Sequence, residues 1–217
     1  IKTVFGLPGV QNDWLYNAFY DYQDEINVIH SRHEQGVAYM ALGYNLASGK
    51  EAIYNVVPGP GFLNSSAALL TAYGLNARVL VLVGQTPLKT QGKGWGVLHE
   101  SNDQLGIMKR LTKYSDRAET IKEIPIKVLE AFQELESGRP KPVGLEISMD
   151  LLMNSDEVNF PDFIKSTKQS IIDQAIIIKI AEALAKAKQP LIFVGSGALD
   201  ASEEVTALVD YMQIPVF

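Results

Sequence analysis

Short apolar and β-branched runs alternate with longer segments of helical period along most of this chain, and this alternation constrains its fold more than any other feature. The predicted strands lie at residues 1–5, 26–30, 52–57, 79–83, 112–115 and 143–147. The clearest predicted helices lie at residues 35–47, 63–75 and 121–136. Because parallel strands need long crossover connections, usually helices, the alternation predicts an α/β fold with a doubly wound parallel sheet.

A polar segment without any sustained period interrupts this pattern at residues 153–172. We interpret it as an interdomain linker, because domain boundaries fall in polar segments that few contacts cross. The predicted domains are residues 1–152 and residues 173–217, the latter being the start of a second, Rossmann-like α/β domain. Because the chain begins with Ile1 rather than Met and stops where a strand is starting, we expect the natural protein to be longer.

The second predicted domain opens with a helix whose N-cap is Asp173. Apolar residues recur after this cap at helical spacing, at Ile177, Ile180, Ala181 and Leu184. A strand at residues 190–194 and a helix at 199–212 are predicted to follow, and residues 214–217 are interpreted as the beginning of the next strand.

Charge and composition exclude several classes of function. The chain of 217 residues has 19 Lys plus Arg against 25 Asp plus Glu, a net charge of −6, and no long basic run, so nucleic acid is not an expected partner. It has no cysteine, which excludes disulfides, thiolate metal sites and a cysteine nucleophile. The longest apolar stretch, residues 79–83, is far shorter than a membrane span, so we predict a cytoplasmic protein without membrane contact.

Glycine-rich turns follow three of the predicted strands. They are Gly6-Leu7-Pro8-Gly9, Pro58-Gly59-Pro60-Gly61 and Gly195-Ser196-Gly197. Ligands of an open parallel sheet bind beyond the carboxyl ends of its strands, so a site is expected at these turns, with ordinary turn chemistry as the alternative. Phosphate-loop and complete dinucleotide motifs are absent, which weakens a nucleotide-binding oxidoreductase. The prolines at 58 and 60 remove two amide donors, which suits a flat heterocycle better than a phosphate.

Glu34 has two interpretations that its spacing alone leaves open. Ser31 and Glu34 are spaced as a capping box, with Ser31 as the N-cap of the following helix. Alternatively, Glu34 points into a cleft at the carboxyl end of the sheet, where apolar walls would favour its neutral acid form and let it exchange a proton with a bound base. The helix N-terminus would favour the carboxylate instead, so the two effects oppose each other.

The segment at residues 92–100 is too rich in glycine for a helix and longer than a simple turn. We interpret it either as an active-site lid or as a flexible loop with Trp95 packed down. His30 and His33 lie three residues apart, but no further ligand set accompanies them, so a metal site is disfavoured.

Five stretches of familiar sequence occur in order along the chain. They are Val4-Phe5-Gly6-Leu7-Pro8-Gly9, Arg32-His33-Glu34-Gln35-Gly36-Val37-Ala38, Gly59-Pro60-Gly61 with Asn64, Leu82-Val83-Gly84-Gln85-Thr86-Pro87 and Gly138-Arg139-Pro140-Lys141-Pro142-Val143. Together they resemble the N-terminal part of the thiamine diphosphate-dependent acetolactate synthase family, which includes pyruvate oxidases, benzoylformate decarboxylases and related carboligases. Because the resemblance extends over nearly the whole chain, it favours the functional interpretation of Glu34.

The resemblance implies a role for each matching residue, because the family's first domain binds the aminopyrimidine ring of thiamine diphosphate. Glu34 would hydrogen-bond a ring nitrogen and promote the imino tautomer, whose nitrogen removes the thiazolium proton. The pyrimidine pocket would be lined by Pro8, Gly9, Gly59, Pro60 and Asn64. The cofactor would then attack a 2-keto acid and act as electron sink while carbon dioxide leaves.

Two departures from the family pattern matter. Acetolactate synthases commonly carry Phe-Gln-Glu where this chain has Leu98-His99-Glu100, in a segment that faces the substrate. His99 is therefore a candidate proton donor or acceptor, and the identity of the keto acid stays open. The Gly-Asp-Gly of the family's diphosphate and magnesium site does not occur in this sequence, so we expect magnesium to bind in a C-terminal domain and the 217 residues alone to be inactive.

The resemblance implies a lyase or transferase that decarboxylates and joins 2-keto acids, as acetolactate synthases do. A decarboxylase or acyltransferase of the same family, favoured by His99, is one alternative, and a binding protein without chemistry is another. Family members hold the cofactor between subunits, which implies a homodimer or homotetramer. Some members also bind FAD at the central domain, so FAD binding stays open.

Overall fold

Two compact units, Ile1–Thr167 and Lys168–Phe217, make up the chain. The structure, a computed structural model, describes residues 1–162 and 172–217, so that part of the predicted linker, residues 163–171, lies outside the described residues. No helix within these two ranges has both the length and the apolar character that crossing a membrane requires.

The first unit is a single sheet of parallel strands with helices between them. The strands are β1 (Thr3–Gly6), β2 (Asn27–His30), β3 (Ala52–Val56), β4 (Val79–Gln85), β5 (Tyr114–Ala118) and β6 (Val143–Ser148). The helices are α1 (Asp13–Asp21), α2 (Glu34–Ser48), α3 (Pro60–Gly74), α4 (Gln104–Leu111), α5 (Ile124–Glu136) and α6 (Met149–Met153). The strand order is β2-β1-β3-β4-β6-β5, which confirms the predicted doubly wound parallel α/β fold.

The apolar strands have two buried faces, because helices cover the sheet on both sides. Phe5 and Tyr54 pack with α2, α3 and α4, whereas the preceding residues Val4 and Ile53 pack with α1 and α5. Alternate residues thus enter opposite cores, which is why these strands show continuous apolar runs rather than alternation. Tyr54 is fully buried, its hydroxyl lies 3.0 Å from Ser65 Oγ, and burial raises its pKa well above the usual value.

The strand order creates a crevice between β1 and β3. From β1 the chain passes to β2 at the edge and then returns to β3 on the other side of β1. Gly6 pairs with Asn55, and Leu7 N donates to Asn55 O at 3.2 Å, so the two strands end at the same level. The glycine-rich turns after β1 and β3 therefore flank one crevice, the position at which open α/β sheets bind ligands.

The predicted capping box is wrong. Helix α2 begins at Glu34, and its N-cap is His33, whose extended backbone lets Nδ1 accept from Gln35 N at 3.1 Å. Ser31 lies two residues before this cap and instead packs against Gly36, where a Cβ would come within 2.6 Å of Ser31 Oγ. Local spacing permits either cap, and the path of the chain out of β2 decides between them.

Three further boundaries differ from the predicted ones. Helix α3 starts at Pro60 instead of residue 63, because proline is compatible with the first helical turn. Strand β5 starts two residues after the predicted position, since Thr112 Oγ1 still donates to Met108 O at the end of α4. A 3₁₀ turn, Ile121–Glu123, occupies the start of the helix predicted at 121–136.

The second unit contains the predicted helices α7 (Gln174–Lys186) and α8 (Ser202–Met212), the latter preceded by a 3₁₀ segment, Ser196–Ala201. Asp173 caps α7 by accepting from Ala175 N at 2.9 Å, as predicted. The strands predicted at 190–194 and 214–217 are reduced to one parallel bridge, Ile192 with Val216, among the described residues. Parallel pairing across α8 agrees with the start of a second α/β domain.

Candidate functional site

Glu34 is the first residue of α2 and lies half-buried beyond the carboxyl end of β2. Asn64 on the neighbouring helix α3 donates from Nδ2 to Glu34 Oε2 at 3.0 Å. The other carboxyl oxygen, Oε1, has no hydrogen-bond donor within the described ranges and lies 3.6 Å from the place where a Cβ on Gly61 would be. One oxygen is thus held by the protein and the other is left for a ligand.

Two glycines bring the turns of the crevice together around one side chain. A Cβ on Gly9 would come within 2.6 Å of Val57, and a Cβ on Gly61 would come within 2.5 Å of it. Any larger residue at either position would force Val57 to move, so glycine allows both turns to close on the same valine. The space beside Glu34 is therefore bounded by backbone and by an apolar side chain.

The predicted pocket residues lie in the turns after β1 and β3 and in the first turns of α3. Gly59 is buried, Gly9 is half-buried, and the other three, Pro8, Pro60 and Asn64, are exposed. A single carboxyl oxygen facing an otherwise apolar wall fits a flat heterocycle that presents one ring nitrogen, which is the chemistry of an aminopyrimidine. The structure thus brings Glu34, Gly61 and Asn64 into direct proximity.

His99 lies on the loop between β4 and α4, next to the turn after β3. Its φ of +67° is unusual for a residue with a side chain, and its backbone carbonyl packs against Gly59, where a Cβ would come within 2.6 Å of the His99 oxygen. Its Nδ1 lies 3.1 Å from Oε1 of Gln11, which is two residues after the first glycine-rich turn. The loop therefore contacts the turn after β3 and the segment that follows the first glycine-rich turn.

Glu100 fixes the backbone conformation of this loop. Its carboxylate accepts backbone amides from Gly94 at 3.0 Å, from Gly96 at 2.7 Å and from Val97 at 3.2 Å. The prediction that Trp95 packs down is wrong, because that side chain is 64% exposed and lies beneath Lys93 Nζ instead. The predicted absence of a helix at 92–100 is confirmed.

Replacing Gly59 by alanine is expected to destabilise the first unit by about 1–3 kcal/mol, because it combines a positive φ with a collision against the His99 backbone. Denaturant unfolding of the full-length protein measures this effect. The matched control is Gly43→Ala in α2, where a Cβ meets nothing within 4 Å and helix propensity should give a small gain. A Gly59→Ala protein as stable as the Gly43→Ala protein would contradict this geometry.

A buried polar network that the sequence did not predict is hydrogen-bonded to the backbone of Gly59. Gln104 Oε1 accepts from Gly59 N at 2.7 Å, and Gln104 Nε2 donates both to Gly84 O at 3.0 Å and to Glu146 Oε2 at 2.7 Å. Arg117 Nε contacts Glu146 Oε1 at 2.5 Å, while the Glu146 side chain is completely buried. The network ties the turn after β3 to β6 and β5. A carboxylate inside the apolar run 143–147 is the one sequence signal that could have revealed it.

Asn12 and Asn55 form a second buried pair at the base of the crevice. Asn12 Nδ2 donates to Asn55 Oδ1 at 2.9 Å, and Asn55 Nδ2 donates to Leu82 O at 2.9 Å. The two amides link the segment after β1 to β3 and β4. Asn12 has no local sequence signal, whereas Asn55 is a polar residue inside the predicted strand 52–57 and could have been recognised there.

The two remaining histidines have separate contacts. His30 stacks on Tyr16 with ring centroids 6.2 Å apart, and its Nδ1 lies 3.3 Å from Gly6 O. His33 caps α2, as described above. Over the described ranges no group of three or more metal-ligating side chains occurs.

Two family models match the chain. "Thiamine pyrophosphate enzyme, N-terminal TPP binding domain" matches residues 1–107, and "Thiamine pyrophosphate enzyme, central domain" matches residues 177–217. The first range contains the crevice, Glu34 and His99. The second range contains most of α7 and all of α8.

Several named proteins resemble the whole chain. It is 33% identical to the probable 2-ketoarginine decarboxylase AruI of Pseudomonas aeruginosa, over 100% of this chain and 39% of that protein. It is 32% identical to the mitochondrial acetolactate synthase catalytic subunit of Saccharomyces cerevisiae, over 100% of this chain and 33% of that protein. The chain thus spans well under half the length of these curated relatives.

A solved structure shares the fold. The thiamine diphosphate-dependent 4-hydroxybenzoylformate decarboxylase of Rhodococcus jostii RHA1 superposes with a TM-score of 0.88 at 23% sequence identity. The match covers 99% of this chain and 41% of that one. At this identity the likeness concerns the fold.

Proposed function

The chain belongs to the thiamine pyrophosphate enzyme family, and on this premise we propose that it is the pyrimidine-binding part of an enzyme that decarboxylates a 2-keto acid. The observation that carries the proposal is the free Oε1 of Glu34, which faces a glycine-bounded, apolar space at the switch point of the sheet. Residues 1–152 are proposed as the pyrimidine-binding domain, 153–172 as the linker and 173–217 as the start of the central domain.

Glu34 is proposed as the acid that exchanges a proton with a pyrimidine nitrogen. Asn64 fixes the carboxyl group through Oε2, so the proton exchange takes place at Oε1. The turns with Pro8, Gly9, Gly59 and Pro60 supply the walls that exclude water from this contact. Thiamine diphosphate, when bound, supplies an electron sink for the pair left as carbon dioxide departs.

The first candidate for the complete reaction is acetolactate synthase-type carboligation, in which the decarboxylated unit adds to a second keto acid. The second candidate is decarboxylation with release of an aldehyde or transfer of the acyl group. One observation favours the second, namely that His99 lies next to the turn after β3, where it is proposed as a proton donor or acceptor. The names of the two curated relatives are divided, one being a probable decarboxylase and the other an acetolactate synthase.

Several properties of the full-length protein follow as proposals. Magnesium is proposed to bind with the diphosphate in a C-terminal domain, and FAD remains a candidate ligand of the central domain.

A homodimer or homotetramer is proposed, since apolar side chains are exposed along α2 and α3, namely Leu46, Leu63, Leu70 and Tyr73. The protein is proposed to be cytoplasmic, and the 217 residues alone are proposed to be inactive.

The test is product analysis with the full-length protein, thiamine diphosphate and magnesium. Pyruvate, an aryl 2-keto acid and a 2-keto acid with a basic side chain are each supplied, and released carbon dioxide is measured. We expect cofactor-dependent release from at least one of them. Acetolactate from pyruvate would support carboligation, whereas an aldehyde would support the decarboxylase candidate. Cofactor-independent release, or none from a broad panel of 2-keto acids, would contradict the proposal.

A further inference from the structure

We propose that Gln11 is a positioning residue that fixes the proton of His99 on Nδ1, so that Nε2 is the nitrogen that exchanges a proton with substrate. The placement of the proton follows from the contacts of Gln11 alone. The exchange with substrate rests on the proposed function. Nothing in the sequence marks Gln11, which follows the first glycine-rich turn.

The orientation of the Gln11 amide is determined by a backbone carbonyl. The Gln11 residue is buried, with 3% of its surface exposed, and its Nε2 lies 3.1 Å from Leu98 O. A carbonyl oxygen can only accept a hydrogen bond, so the amide nitrogen must face Leu98. The opposite assignment would place two acceptor oxygens against each other inside the protein, which is costly for buried groups.

The amide oxygen of Gln11 therefore faces the His99 ring. Gln11 Oε1 lies 3.1 Å from His99 Nδ1, and an amide oxygen can only accept. His99 Nδ1 must then carry a hydrogen, both in the neutral ring and in the imidazolium. Since one ring nitrogen is fixed by its hydrogen bond, the other is the one that gains and loses the proton.

The rest of His99 is held in place as well. Its backbone has a left-handed conformation with φ of +67°, and its carbonyl packs against Gly59. Leu98 O, which precedes it, is held by the same Gln11 side chain. His99 Nε2 has no hydrogen-bond partner within the described ranges, so it is the ring nitrogen left for a ligand.

Two variants of Gln11 separate this role from simple packing. Gln11→Glu and Gln11→Met both lose the donor to Leu98 O, but only glutamate keeps an acceptor opposite His99 Nδ1. The two therefore share the loss of the donor to Leu98 O and differ in the acceptor opposite Nδ1. Glutamate also adds a buried negative charge, so the tautomers are compared at a pH where the His99 ring is neutral. We expect wild type and Gln11→Glu to keep the hydrogen on Nδ1 and Gln11→Met to shift the neutral ring toward the Nε2–H form.

The readout is magic-angle-spinning NMR of the full-length protein labelled with ¹⁵N-histidine, in which His99→Gln identifies the His99 signals. The protonated and unprotonated nitrogens of a neutral imidazole have distinct ¹⁵N shifts, so the tautomer is measured directly and without any substrate. A neutral His99 with its hydrogen on Nε2 in the wild type would overturn the proposal. So would the same tautomer in the Gln11→Met and Gln11→Glu proteins.

Turnover of the active keto acid then tests the consequence for catalysis. We expect Gln11→Met to lower kcat about tenfold or more relative to Gln11→Glu, with little difference in KM. If the tautomers behave as expected but kcat is equal in the two variants and in His99→Gln, the assignment of the proton stands. The role of His99 toward substrate in the proposed function then fails.

Discussion

Replacing Glu34 by glutamine in the full-length protein is expected to reduce turnover of its 2-keto acid by about 10²–10⁴-fold. Glutamine has nearly the same shape and still offers an oxygen to Asn64 Nδ2, which lies 3.0 Å from Glu34 Oε2. It cannot exchange a proton with a ring nitrogen. Steady-state kinetics with saturating thiamine diphosphate measures the effect, and cofactor binding by calorimetry shows whether the site is still formed.

The control for this prediction is Asn64→Leu. It removes the hydrogen bond to Oε2 but leaves the acid at position 34, so we expect a loss of no more than about tenfold, below the roughly 10²–10⁴-fold range of acid–base effects. Full turnover by the Glu34→Gln protein would show that Glu34 serves only as the first residue of α2. A loss of cofactor binding in that variant would indicate a structural role instead.

Removing Arg117 is expected to destabilise β5 and β6 by about 3 kcal/mol, since it leaves an unpaired charge inside the protein. Glu146 is completely buried, and Arg117 Nε contacts its Oε1 at 2.5 Å. The remaining partner of Glu146 is the neutral Gln104 amide, at 2.7 Å, which does not balance the charge. Hydrogen exchange of the β6 amides in the Arg117→Met protein measures this local stability even where several domains unfold separately.

A double-mutant cycle supplies the comparison. Glu146→Gln removes the charge and keeps the shape, so the Glu146→Gln/Arg117→Met protein should recover much of the lost stability. The exposed Arg110→Met on α4 should leave β6 exchange unchanged. Equal destabilisation by the Arg117→Met single variant and the double variant would show that the buried charge is not the cause.

The fold was predictable because it depends on patterns that local sequence carries. Continuous apolar runs such as 79–83 predict strands buried on both faces, and the intervening helical periods predict crossovers. The boundaries were less predictable. Ser31 and His33 are both competent helix caps, and the direction in which the chain leaves β2 selects His33.

The candidate site was predictable only where family motifs carry it. Glu34, Asn64 and the glycine-rich turns were named from the sequence, and the structure places them together, but their roles stay predictions. Gln11 and Gln104 were missed because an isolated glutamine has no local signature. Their hydrogen bonds join positions 87 and 45 residues apart along the chain.

The sequence by itself determined the α/β class, the expectation of two domains and the residues that resemble a cofactor site. Hydrophobic periodicity predicts the first two, and short motifs indicate the third. Only the tertiary structure decided that Gln11 holds His99 and that Gln104 joins Gly59 to the buried Glu146. The physical reason is that buried polar groups must find partners, and those partners lie on different strands that meet only when the sheet has formed.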